Sequence, residues 1–513
     1  MSTTVQALIA EHPADALAIG APGRSWLTYG GLRDLSEDVR AKLRDGGIGA
    51  EDRVAIVLPN GPEMAAAFVT IAQSATTAPL NPAYREDEFA FYLEDLKAKA
   101  IILSEDYDGA ALAAAERFGL TVIRLSVAAG APAGAFSLAV PVAENRAPDR
   151  LPGASDTALI LHTSGTTSRP KIVPLLQSNL AASARNIGAS LALTPEDRCL
   201  NVMPLFHIHG LVAAVSSSLA AGGQVWCAPG FDALKFFGWL DDCAPSWYTA
   251  VPTMHQAILS RAGRNSEVLE RANLRFLRSS SASLPPQVMT ALAETFAAPV
   301  IEGYGMTEAA HQMASNPLPP RAQKPGAVGL AAGPEVRIAN ETENRLLGDD
   351  AVGEICISGD NVTPGYEGNP EANAKNFFEA EGKRWFRTGD QGSFDGERYL
   401  SLTGRLKEII NRGGEKISPL EVDAVLMDHP AVAQCVTFAM PHAKLGEEVA
   451  AAVVLRDGET AQDADIRAFA KERLADFKVP RKVLILSEIP KGATGKLQRI
   501  GLAEKLGLTG EAA

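Results

Sequence analysis

Short apolar runs recur along the chain as far as residue 301, each parted from the next by a helix-like stretch. Arg53 to Leu58 (RVAIVL), Ala100 to Leu103 (AIIL), Leu120 to Leu125, Ala158 to Leu161 (ALIL), Val225 to Cys227 and Val300-Ile301 have the length and composition of strands. Glu63 to Ser74, Ala233 to Leu240 and Pro286 to Phe296 space their apolar residues at helical intervals. Strands that are apolar throughout are buried on both faces, as in parallel sheets covered by helices. The pattern predicts an α/β fold with a large N-terminal region of parallel-rich sheets. A chain of 513 residues is long enough for two or more domains.

After about Asp350 the texture changes. Gly-rich turns separate Val352 to Ile357 (VGEICI), Tyr366, Trp385 to Asp390 (WFRTGD) and Tyr399 to Leu402, the spacing of a small β-rich module. Beyond Arg405 a third pattern begins. Ser418-Pro419-Leu420-Glu421 reads as a capping box with proline at the first helical position, opening a helix through Met427. Strands near Val432 to Phe438, Val449 to Leu455 and Val483 to Leu486 follow, with a helix at Asp465 to Leu474. The expected division is 1–405 and a small α+β domain, 406–513, with the boundary near Gly404 to Lys407.

A net charge of −13 argues against nonspecific binding to nucleic acid or anionic membrane. Cys199, Cys227, Cys243, Cys356 and Cys435 are odd in number and lack CxxC spacing, so buried free thiols in a reducing, cytoplasmic setting are expected. The first ten residues carry no basic side chain, so no signal peptide is expected. From Cys199 to Phe231 there is no formal charge. Pro204, His207, His209, Gly210, the serines from Ser216 and Gly222-Gly223 interrupt that stretch, which is expected to be buried core rather than a membrane span.

His162 to Pro174 (HTSGTTSRPKIVP) concentrates hydroxyls, one glycine and a lysine after the apolar run ALIL. With Leu180, Ala184, Ile187 and Leu191 at helical spacing behind it, and Ser178 or Asn179 as N-cap, the expected order is strand, loop, helix. Such a loop can cradle polyphosphate, and it can equally be a polar surface turn. It is not a Walker A loop: GxxxxGK[ST] is absent, and GATGK at Gly492 to Lys496 has the wrong spacing. Five further motifs follow in order: PLFHIHG from Pro204, IEGYGMTE from Ile301, RTGD from Arg387, GRLKE from Gly404 with GGEKISP from Gly413, and PKGATGK from Pro490. Together with the loop they resemble the adenylate-forming superfamily of acyl-CoA synthetases from about Trp26 to the end. Within it, RSSSASL (Arg278 to Leu284) and MTEAAHQMASNPLP (Met306 to Pro319) are similar to the RSCSASL and MTEATHLMSSNPLP of oxalyl-CoA synthetases.

The resemblance implies an acid–thiol ligase that uses ATP, Mg²⁺ and coenzyme A. A carboxylate oxygen attacks the α-phosphorus of ATP and pyrophosphate leaves; the thiol of coenzyme A then attacks the acyl-adenylate and AMP leaves. The first step is positioning and electrostatics. By this resemblance Thr163, Ser164, Gly165, Thr166, Thr167 and Lys171 would hold the pyrophosphate portion. Thr307 would hold the α-phosphate and Glu308 the Mg²⁺, a hard cation suited to oxygen ligands. Tyr304 would stack on adenine, with Asp390 and Arg405 on the ribose. Lys496 would enter the site for adenylation, and His207 would move at the acyl/CoA junction. Lys407 would be the hinge of a mobile C-terminal domain that brings Gly413 and Gly414 toward the pantetheine arm. His209 is left as structural. One departure from the superfamily is Ile172, where many members carry glycine.

Ser281, His311 and Gln312 place polar groups where an apolar acid pocket would have none. Buried polar groups need partners, and a small dicarboxylate such as oxalate would supply them through its non-reacting end. Malonate is the nearest rival, and a 4-coumarate or medium-chain acid the fallback. An oxygen-dependent luciferase would need an aromatic, largely apolar pocket. A peptide-synthetase adenylation domain would hand its acyl group to a carrier. A non-catalytic scaffold would be expected to have lost Lys496, Glu308 or Asp390; all three are present.

Overall fold

A computed structural model describes residues 3–163, 170–490 and 497–508. Among the described residues four sheets carry the fold. A seven-stranded sheet runs Ser137–Ala139, Thr121–Ser126, Ala100–Ser104, Arg53–Val57, Thr76–Pro79, Thr157–Thr163, Lys171–Leu176. It is parallel except at its two outer pairs. A nine-stranded sheet has a parallel centre of Val300–Met306, Phe276–Ser280, Trp247–Ala250, Arg198–Asn201, Gln224–Cys227 and Leu17–Gly20. The predicted α/β class and parallel-rich sheets are what the chain forms.

The main core joins residues of both large sheets with the helices Pro62–Ile71 and Gln177–Ser190 and the π-helix His209–Ser216. Pro62–Ile71 is buried along almost its whole length, as its PEMAAAFVTI sequence requires: a helix apolar on every side has no face to give to water. Every residue of His209–Ser216 is buried too, so the uncharged stretch is core, as expected. Among the described residues no helix is long and apolar enough to cross a membrane. All five cysteines are buried and free.

The structure corrects the sequence reading in four places. A strand, Lys171–Leu176, stands between the hydroxyl-rich loop and the helix, so the order is strand, loop, strand, helix. The helix begins at Gln177, and Asn179 lies in its first turn, where its Oδ1 accepts from the Leu176 amide. Within that strand Ile172 pairs with His162 and packs into a satellite core, which accounts for a β-branched residue there. Helix Ala233 to Leu240 is displaced to Phe236–Cys243, because the Asp232 carboxylate takes the Leu234 and Lys235 amides in a preceding turn. The β-rich module starts at Glu335–Ala339 rather than near Asp350, and Tyr366 lies outside its strands.

That module pairs Glu335–Ala339, Gly353–Ser358, Lys383–Phe394, Phe377–Ala380 and Leu400–Arg405. The last sheet comprises Ile410–Arg412, Glu415–Ile417, Val432–His442, Gly446–Leu455 and Lys482–Ile485. Helix Pro419–Met427 is the one predicted. Ser418 caps it by accepting from the Glu421 amide, whereas the Glu421 carboxylate meets Lys478 instead of closing the box.

Candidate active site

The candidate residues gather where the parallel strands of the nine-stranded sheet end, the edge at which open α/β sheets place ligands. Strand Val300–Met306 carries Tyr304 and runs into a short turn, Thr307–Ala309, that presents Thr307 and Glu308. Ser281 follows Phe276–Ser280, and His207 lies in the segment leaving Arg198–Asn201. The hairpin Thr157–Thr163/Lys171–Leu176 sets Thr163 directly opposite Lys171 across its base. The five-stranded module brings Asp390 and Arg405 into one register pair. Ser164, Gly165, Thr166, Thr167 and Lys496 lie outside the described residues.

Two carboxylates, buried Glu308 and partly buried Asp390, organise this edge. The Tyr304 hydroxyl donates to Asp390 Oδ2 at 2.5 Å, and Arg405 Nε stands 3.6 Å from Asp390 Oδ1. The three residues assigned to adenosine therefore form one connected group. Glu308 is only 6% exposed and its Oε1 accepts from the Tyr366 hydroxyl at 2.7 Å. Burial pushes both carboxyls above the ordinary range, opposed by hydrogen bonds and nearby cations. Lys171 Nζ sits 4.4 Å above the Tyr366 ring; burial lowers its pKa while Glu308 pulls it up. The second oxygen of Glu308 and the Thr307 hydroxyl are hard oxygen donors. One carboxylate with few other protein ligands suits Mg²⁺, which fills the rest of its shell from phosphates and water.

A second cluster lies beside the first. His209, fully buried, has Nδ1 3.0 Å from Ser281 Oγ and Nε2 2.6 Å from Thr249 Oγ1. Its ring lies 5.1 Å from that of buried His311. Ser281 and His311 adopt φ of 74° and 101°. Positive φ in residues with a Cβ is strained, and such strain collects at functional sites. Gln312 donates through Nε2 to Ser190 and the Ala332 carbonyl, while its Oε1 accepts from Arg278.

Sequence reasoning missed two of these residues. His209, expected to be structural, hydrogen-bonds Ser281, and the signal was its place as a second histidine in an otherwise uncharged buried run. Tyr366 was assigned to a strand, and nothing local in the sequence ties it to Glu308, 58 positions away. Half-buried His207 stands next to Phe206 at the edge of the site. Lys407 lies in the turn linking the last two sheets. Gly413 and Gly414 turn an exposed hairpin tip at φ of 60° and 101°, held by Leu445 and Asn411, and are not brought to the phosphate side chains here.

Comparison with known proteins gives the family. Residues 5–367 match the AMP-binding enzyme model and 421–496 match that of the AMP-binding enzyme C-terminal domain. The chain is 46% identical to an oxalate–CoA ligase of Arabidopsis thaliana, over 96% of each chain. It is 42% identical to an oxalate–CoA ligase of Saccharomyces cerevisiae, over 90% of this chain and 88% of that one. Among solved structures, ATP-bound MatB from Rhodopseudomonas palustris superposes with a TM-score of 0.86 at 28% identity, covering 98% of this chain and 99% of that one. With its ordered motifs and these matches, the chain belongs to the AMP-binding enzyme family.

Proposed function

We propose that this protein is an ATP-dependent oxalate–CoA ligase that forms oxalyl-adenylate and then oxalyl-CoA, releasing pyrophosphate and AMP. The observation that carries the choice of acid is the part-buried His209–Ser281 hydrogen bond with His311 against it. A fatty-acyl or cinnamoyl pocket gains nothing from three polar side chains, whereas a second carboxylate gives them acceptor oxygens. The two oxalate–CoA ligase relatives support the same reading.

In this reading Lys171, Thr163, Thr307 and the loop residues Ser164 to Thr167 neutralise and orient the phosphates. Asp390 and Arg405 hold the ribose, and Tyr304, tied to Asp390, borders the adenine. Glu308, held by Tyr366, with Thr307 would ligate Mg²⁺, whose charge offsets the negative charge that builds on the phosphates. Lys496 serves adenylation only. Rotation of 406–513 about Lys407 then clears the site, and Gly413-Gly414 and His207 border the incoming thiol. The acidic balance and five buried thiols support a cytoplasmic setting.

The decisive assay is ATP- and CoA-dependent AMP release across oxalate, malonate, formate, acetate, octanoate and 4-coumarate. Oxalate is expected to have the highest kcat/KM; preference for octanoate or 4-coumarate sinks the dicarboxylate reading.

A further inference from the structure

Arg278 lies mid-strand in Phe276–Ser280, in register with Thr249 on one side and Ile301 on the other. It is fully buried. Its Nη2 donates to Gln312 Oε1 at 3.2 Å, while Nε and Nη1 have no hydrogen-bond partner. Among the described residues no carboxylate pairs with it. An isolated buried guanidinium is strongly disfavoured, and the donors left over call for an acceptor that the folded chain does not itself provide.

The guanidinium leans toward the site. Gly303 stands opposite Ser280, beyond Arg278 toward the carboxyl end of the strand, and a Cβ there would lie 2.7 Å from Nη2. Two residues further along the same strand, a Cβ on Gly305 would lie 2.0 Å from the His311 carbonyl oxygen and 3.2 Å from His311 Nδ1. The two glycines of one strand thus let the Arg278 guanidinium and residue His311 pack close against it, on either side of the register irregularity between Tyr304 and Gly305. Thr249, beside Arg278 in register, is the residue that anchors His209 and through it Ser281.

We propose that Arg278 is a specificity-determining residue of the acid site, whose unpartnered donors receive the non-reacting carboxylate of a small dicarboxylate beside Ser281 and His311. This rests on the dicarboxylate reading above and adds the positive charge that Ser281 alone does not supply. Arginine suits the role because its planar fork stays charged and meets carboxylate oxygens directly.

The test compares oxalate with oxamate, which keeps one carboxylate and replaces the other with a neutral amide. The wild type is expected to favour oxalate strongly. Arg278→Gln is expected to lower kcat/KM for oxalate about 100-fold, through KM, while changing that for oxamate and the KM for ATP by less than about threefold. Equal losses on both acids, or an unchanged oxalate KM in the folded variant, overturn the proposal. Should Arg278→Gln not fold, Arg278→Lys is expected to show the same selective loss in weaker form. Independently, a wild-type enzyme using oxamate as well as oxalate overturns the role of Arg278 alone. A wild type inactive on oxalate and malonate overturns the dicarboxylate reading itself, and this proposal with it.

Discussion

Removing the Tyr366 hydroxyl tests how the fold holds Glu308. In Tyr366→Phe the ring under Lys171 Nζ, 4.4 Å from its centroid, is kept, and only the 2.7 Å hydrogen bond to Glu308 Oε1 is lost. A hydrogen bond to a buried ionised group contributes about 1.5–3 kcal/mol, so kcat/KM for MgATP is expected to fall roughly 10- to 100-fold. The sign of the pH effect follows from the same contact. Burial raises the Glu308 pKa and the Tyr366 hydroxyl lowers it, so its removal raises it further. The acid limb of the pH–rate profile should therefore move to higher pH in the variant. Tyr366→Leu also loses the cation–π contact and should cost about 0.5–2 kcal/mol more. The assay is oxalate-dependent exchange of labelled pyrophosphate into ATP, titrated with Mg²⁺. A Tyr366→Phe enzyme with kcat/KM within about twofold of wild type and the same Mg²⁺ dependence refutes the idea that this hydroxyl holds a working Glu308.

Lys496→Ala is expected to lose adenylation yet still make thioester from pre-made oxalyl-adenylate; wild-type adenylation by the variant would remove the role given to Lys496. Burial raises the Glu302 pKa from 4.5 to about 8, so between those values the folded chain keeps a proton that the unfolded chain releases, and this contribution to stability declines as pH rises. Glu302→Gln removes a slope of about 1.4 kcal/mol per pH unit, so chemical denaturation should show the variant gaining ~3 kcal/mol on wild type between about pH 5 and 7.5; parallel stability curves would contradict this. Ile172→Gly is expected to cost roughly 3–5 kcal/mol of stability by emptying a packed strand position, seen as a lower Tm, while leaving the order of acid preference unchanged. A changed acid order would mean that this strand also shapes the acid pocket.

What the sequence made legible was whatever depends on local pattern. Ala100 to Leu103 and Pro286 to Phe296 announced themselves by period and length, and the structure has them within a residue. The motif order likewise named Asp390, Arg405 and Tyr304 without a contact map. What stayed hidden depends on pairing at long range. Lys171–Leu176 reads as the tail of a loop because a proline, Pro174, interrupts it; it is a strand because it is the outer one, where a missing N–H is tolerated. Tyr366 and Arg278 matter through partners 58 and 34 positions away, which no window of the sequence contains.

The polar side chains of Ser281 and His311 sit on an unusual backbone. Each residue sits at a φ that glycine adopts freely and that costs other residues about 1–3 kcal/mol. Glycine at either position would relieve the strain. Glycine would also remove the hydroxyl held by His209 and the ring beside it. Lys97, Ala192, Ala244, Ala297, Ala310, Glu381 and Arg398 also hold positive φ, so it is the polar contacts of Ser281 and His311, not the backbone alone, that set this pair apart. His209 is already satisfied by Thr249 and Ser281, and the strand leading to Ser281 carries a buried arginine with donors unpartnered among the described residues. The group that gains most from that arrangement is a small anion with acceptor oxygens at both ends, one reacting and one held.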